Sequence, residues 1–182
     1  MPDEIVTIAA LDAEGLARHL DALADILVAC VHDGASVSFV LPFGLDEARA
    51  FWTGKVAPGV AGGTRALFVA ACDGVVAATA QLDLVATPNQ RHRGEVSKVL
   101  VHPSFRRLGL ARALMGAVEA RAQAAGRWLL TLDTAGEAAE RLYLSLGYAC
   151  AGRIPSYARD PIADRFDATT IMYKDLRAGG AR

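Results

Sequence analysis

The chain has 182 residues and a formal net charge of -1, with 53% hydrophobic and 21% charged residues. That is the length of one ordinary domain with a sizeable core, read as a single unit over 1–182, and not of a long disordered chain. The near-neutral charge argues against a general nucleic-acid binder. No stretch approaches the roughly eighteen apolar residues of a membrane span, and residues 1–4 do not open a secretory signal. Cys30, Cys72 and Cys150 are far apart and odd in number, which suits reduced thiols in a cytoplasmic protein. Neither they nor the four histidines show metal-ligand spacing, so no metal is expected.

In chain order, residues 4–9 read as a first strand. Residues 16–31 read as an amphipathic helix, with Leu16, Leu20, Leu23, Leu27 and Val31 recurring at steps of three and four. Asp33 and Gly34 end it. Residues 45–56 form a second helix and 59–63 a loop. Residues 66–71 and 75–84 are two strands around Asp73-Gly74, a strong hairpin signal. Residues 94–102 give a strand stopped by Pro103, and 109–124 a helix with Leu110, Leu114, Ala117 and Val118 on one face. A short strand at 128–132, a helix at 137–146 and strands at 148–154 and 169–173 complete the chain. The strand-helix-strand unit from 94 to 132 is a crossover, so its strands are parallel. The result is an α+β chain: a mixed sheet with helices on both faces.

Arg106-Arg107-Leu108-Gly109-Leu110-Ala111 lies between a strand and a helix. The first turn of a helix has N–H groups without intrahelical partners, and the macrodipole adds partial positive charge. A phosphate satisfies both, and glycine lets it come close. Arg106, Arg107 and Arg112 add charge at the rim. The turn lacks the Gly-Lys-Ser/Thr ending of a Walker loop and the paired glycines of a dinucleotide fingerprint. Alone, it is equally a plain helix start with solvated arginines.

Residues 96–115 as a whole resemble the core signature of the GNAT superfamily of acetyl-coenzyme A-dependent N-acetyltransferases. There a strand reading apolar-x-V-x-P leads into Q/R-x-x-G-x-G/A, matched here with alanine in the last permitted place. Residues 139–148, ending in Tyr143-x-x-x-Gly147-Tyr148, resemble the family's second signature. Segments 31–39, 95–98, 132–134 and 155–157 are similar to tabtoxin-resistance acetyltransferases, with a slightly shorter loop between Asp133 and Tyr143. The resemblance implies a twisted, mainly antiparallel sheet splayed between its two central parallel strands. It also implies acetyl-coenzyme A as cosubstrate. The pantetheine arm would pair with backbone groups of Val99, Leu100 and Val101. The pyrophosphate would lie on Arg106, Arg107, Leu108, Gly109, Leu110, Ala111 and Arg112.

Acetyl transfer to an amine needs a neutral amine, a donor for the developing oxyanion and a proton for the departing thiolate. The resemblance makes Tyr143 the candidate general acid; a packed core aromatic is the alternative. It makes Glu95 a base or water-positioning carboxylate, against a surface charge pairing with Arg93 or Lys98. It gives Asp133 a role near the acceptor, against helix capping, since Thr134-x-x-Glu137 fits a capping box. His32, Asp33, Ser36, Phe39 and Tyr157 are candidate walls of an acceptor pocket. No cysteine falls in a catalytic position, so direct attack is expected and a covalent acetyl-enzyme is not. The implied partner is a small-molecule amine, in a detoxification or resistance role, without nucleic acid or membrane. A homodimer stays open. Acetylation of a protein N-terminus or lysine, and a non-catalytic acetyl-coenzyme A sensor, are the other readings.

Overall fold

The structure, a computed structural model, describes residues 5–177. Its order is β1 (Val6–Leu11), α1 (Ala13–Arg18), α2 (Leu20–His32), α3 (Leu45–Phe51), a π-helical turn (Trp52–Val56) and α4 (Ala57–Ala61). Then follow β2 (Arg65–Cys72), β3 (Val75–Leu84), β4 (Arg93–Val101), α5 (Leu110–Ala124), β5 (Leu129–Thr134), α6 (Glu137–Ser145), β6 (Ala149–Arg159) and β7 (Phe166–Asp175). All strands join one seven-stranded sheet in the order β1-β2-β3-β4-β5-β7-β6. Every neighbouring pair is antiparallel except β4 and β5, as the crossover requires. The expected mixed, mainly antiparallel sheet flanked by helices is therefore present.

Alternation along the strands divides the interior in two. Phe68 and Ala70 of β2 join Ala78, Ala80 and Leu82 of β3 under Leu110, Leu114, Met115 and Val118 of α5. Leu67 and Val69 face the other way, onto Leu23, Ile26 and Leu27 of α2 and the fully buried Trp52. Trp52 Nε1 donates to the Leu23 carbonyl at 2.9 Å, so the indole nitrogen is satisfied inside the core. The β2–β3 hairpin turns through Asp73 (φ 48°) and Gly74 (φ 83°), the left-handed pair that an Asp-Gly turn supplies.

Three expectations need correction. The helix read across 16–31 is two helices: Asp12 caps α1 by accepting from Gly15 N at 2.7 Å, and the chain breaks at His19 (ψ 13°). Its periodicity persists through the break because Leu16 and Leu23 enter the same core. The second helix does not stop at 56. It passes through the π turn into α4, with Pro58 tolerated in the first turn, so most of the loop read at 59–63 is helical. The last strands run longer than their apolar stretches, because β6 and β7 continue as an exposed hairpin to Arg159 and Phe166. Of the first strand, residue 4 lies outside the described residues.

The parallel pair positions the site. β4 and β5 are registered only at Arg93 with Leu129, Gly94 with Leu130 and Glu95 with Thr131. Gly94 sits at this root because a side chain there would meet Leu82 at 2.8 Å and Leu130 at 3.0 Å. Beyond Glu95 the strands part, and residues 96–101 of β4 lose their partner on that side.

Candidate active site

The gap between the parting strands opens into a cleft of about 790 Å³. One wall is β4 from residue 96 to 101, the next is the turn at 106–112, and the opposite wall holds Asp133, Thr134 and Tyr143. Cys30 and residues 35–38, which follow α2, close the remaining side.

The turn that begins α5 is built from backbone. Arg107 (φ 67°) and Gly109 (φ 79°) are both left-handed, curling the chain before Leu110 starts the helix. The N–H groups of the helix's first turn have no intrahelical acceptor, and a 15-residue helix stands behind them. Nothing lies within 4 Å of a side chain added at Gly109, so the backbone angle, not lack of space, demands glycine. Of the turn residues, Leu108 is exposed and does not line the cleft, whereas Arg106, Arg107, Gly109, Leu110, Ala111 and Arg112 do. Arg106 Nη1 pairs with Asp33 at 2.6 Å, and Arg112 Nη2 donates to Ser145 Oγ at 2.7 Å. These two arginines thus fasten the turn to the loop after α2 and to the end of α6.

Tyr143 is only 6% exposed but lines the cleft. Burial, and secondarily the Asp133 charge, hold its phenol well above the usual range. It is therefore a neutral hydrogen-bond donor throughout ordinary pH. Asp133, at the end of β5, lines the same wall and accepts from Thr169 Oγ1 at 3.1 Å. The alternative capping role is absent. Gly136 occupies the N-cap of α6, and no side chain caps that end.

Glu95 lies at the root of the split, outside the cleft lining, and pairs with Arg93 at 3.1 Å. Arg93 is itself tied to Thr131 at 2.7 Å, so the three residues brace the last registered pair of β4 and β5. Of the candidate acceptor residues, Ser36 lines the cleft. Asp33 meets it indirectly through Arg106. Phe39 does not line the cleft; its ring packs tilted against Phe43 and edge-on against Phe51, at ring distances of 4.4 and 5.3 Å. His32 does not face the cleft: its Nε2 donates to the Phe43 carbonyl at 2.8 Å on the far side of the loop. Tyr157 is also elsewhere, exposed at an irregularity of the edge strand β6.

Cys30 and Lys98, to which the sequence assigned no role in the site, also line the cleft. Cys30 Sγ donates to the Val101 carbonyl at 3.4 Å, and burial pushes its thiol up to about 11, against the opposing pull of Arg106. Such a thiol stays protonated and is a poor nucleophile. Lys98 lines the cleft from a bulge in β4, where Ala80 of β3 falls in the register shift between Thr79 and Gln81. The bulge gives Lys98 a left-handed φ of 50°, which a single sequence does not announce.

Solved structures share this architecture. The Salmonella typhimurium protein yncA, solved with its cofactor acetyl-CoA, matches with a TM-score of 0.74 at 22% identity, covering 97% of this chain and 96% of that one. An N-acetyltransferase from Staphylococcus aureus Mu50 matches at 0.77 and 21% identity, over 94% and 99%. At these identities the likeness shows the fold. Among curated proteins, an uncharacterized N-acetyltransferase encoded in the hisH-hisA intergenic region of Azospirillum brasilense is 37% identical over 114 residues. That match spans 61% of this chain and 65% of the relative's length. The model of the Acetyltransferase (GNAT) family matches residues 22–148, and the chain belongs to that family.

Proposed function

We propose that the protein transfers an acetyl group from acetyl-coenzyme A to a primary amine of a small molecule by direct attack. The observation that carries this reading is the cleft itself. It joins a helix start with unpartnered amides, an unpaired stretch of β4 and a buried phenol in one continuous space. The donor set fits the proposed cosubstrate. The first-turn amides of α5 with Arg107 suit a pyrophosphate, and the free edge at residues 96–101 suits the amides of a pantetheine arm.

Acetyl-coenzyme A supplies the acetyl group already activated as a thioester. The protein's part is binding, orientation and proton handling. Asp133 offers a carboxylate for the incoming ammonium and a route for its proton to water. An alkyl ammonium has a pKa of about 10, so the attacking neutral form is scarce near neutrality. Tyr143 presents a phenolic O–H to the departing sulfur. A thiolate of pKa about 8.5 is too weak a base to deprotonate such a phenol fully, so Tyr143 acts by hydrogen-bond donation, and the amine's own proton completes the thiol. Glu95 serves from the root of the split, orienting water or Arg93 rather than touching the acceptor. The segments similar to tabtoxin-resistance enzymes support a detoxifying role, since acetylation masks an amine.

A thiol-release assay over amino acids, aminoglycosides, polyamines and short peptides tests this. The reading predicts release that depends on a small amine. Release only with peptides would favour acetylation of protein N-termini, and binding without release with any amine would make the protein a sensor.

A further inference from the structure

We propose that Lys98 sorts acceptors by the charge they carry besides the reacting amine, taking an anionic group such as a carboxylate and turning away a second cation. The inference rests on the acetyltransferase reading and names the substrate class of that same cleft.

The position of Lys98 is unlike that of an ordinary surface lysine. It projects from the β4 bulge into the cleft wall and is half-buried. Its Nζ donates to Ser38 Oγ at 3.1 Å and lies 5.6 Å from the centre of the Phe51 ring. An ammonium has three N–H donors, and these contacts engage one of them in a hydrogen bond. Among the described residues no carboxylate forms an ion pair with it. Burial lowers its pKa, which marks the cost of holding this charge away from water, and Asp133 offsets that cost only in part.

A half-buried cation with unused donors is stabilised by an anion that enters with the ligand. The same cation raises the energy of any ligand bringing a second positive charge. Asp133 lies near enough to act electrostatically on Lys98 and lines the same cleft, so the two place charges of opposite sign there. That pair complements a molecule with an ammonium and an acid group separated by a few bonds. Polyamines and aminoglycosides, which carry several cations and no anion, do not match it. Ser38 gives the lysine a resting partner when no acceptor is bound.

The test uses matched acceptors in the thiol-release assay: a panel of α-amino acids, their carboxamides and the corresponding diamines. Native protein should favour the acids over the carboxamides by about tenfold or more in kcat/KM, the scale of one charge-assisted hydrogen bond, with diamines poorest. Lys98→Met should erase that preference through acceptor KM while acetyl-coenzyme A affinity holds, and Lys98→Arg should restore much of it. Equal use of acid and carboxamide by native protein would overturn the proposal. So would a Lys98→Met variant that keeps the preference, or one that loses kcat on all acceptors alike and flattens the rise with pH, the mark of a base. If no amine gives thiol release, the transfer reading fails instead. Calorimetry of N-acetyl amino acids against their carboxamides, with coenzyme A present, then still decides on Lys98: binding of the acids that Lys98→Met abolishes supports it, and no difference overturns it.

Discussion

The two ends of the cleft are built by different means. The end at the α5 turn, proposed to hold the pyrophosphate, is backbone: left-handed Arg107 and Gly109, the first amides of α5 and the edge of β4 left free on its β5 side. The other end, proposed to take the acceptor, is side chains brought from four separated places, Ser36 and Ser38 after α2, Lys98 in the bulge, Asp133 near the end of β5 and Tyr143 on α6. Backbone sites depend on angles that few residues can adopt, so they tolerate exchange of most side chains but not of a glycine. Side-chain sites can be retuned one residue at a time, which suits the end proposed to choose among amines.

The sharpest way to break this contrast is Tyr143→Phe. It should lower kcat by about a hundredfold, the scale of one lost donor to developing charge, and leave acetyl-coenzyme A affinity unchanged in calorimetry. A fall in affinity equal to the fall in rate would make Tyr143 a packing residue. Because the Tyr143 phenol is held above its usual range, its proton persists to higher pH. At saturating acceptor, where loss of the Lys98 charge does not limit binding, initial rates should therefore keep rising with pH as the amine loses its proton, with no decline near 10 from this group. A bell-shaped profile falling at or below pH 9 would contradict that.

Gly109→Ala probes the backbone end. The open space around Gly109 admits a methyl group, so the penalty is the left-handed angle, about 1–2 kcal/mol. Acetyl-coenzyme A binding should weaken by roughly tenfold with the acceptor preference intact. A change in acceptor preference would show that the ends are not separable. Asp33→Asn probes the seam between them. The Arg106–Asp33 pair is nearly half exposed, so it contributes about 0–1 kcal/mol. Freed from Asp33, Arg106 should hold the cofactor at least as well, while acceptor KM rises by less than about fivefold as the loop loosens. Weaker cofactor binding would mean that Asp33 shapes the phosphate turn itself.

The same contrast explains what the amino-acid sequence revealed. The glycine turn that opens α5, the crossover and the hairpin at Asp73 and Gly74 were legible because each is a contiguous pattern with a local cause. The break at His19 was not, since Leu16 and Leu23 feed one core across it. Lys98 was passed over because its place in the cleft follows from a bulge against β3, a register fact between distant residues. His32 and Tyr157 were read into the acceptor wall because they lie within the matched segments 31–39 and 155–157. A half-turn of helix and an edge-strand irregularity carry them elsewhere. The capping alternative at Asp133 was removed only by Gly136 taking the cap position.

A crystal of the protein grown with acetyl-coenzyme A tests the central claim most directly. The account predicts pyrophosphate oxygens within hydrogen-bonding distance, about 3 Å, of the backbone amides that open α5 after Gly109, with the thioester arm along the free edge of β4. A cofactor bound elsewhere, or a turn left empty at saturating concentration, would contradict it.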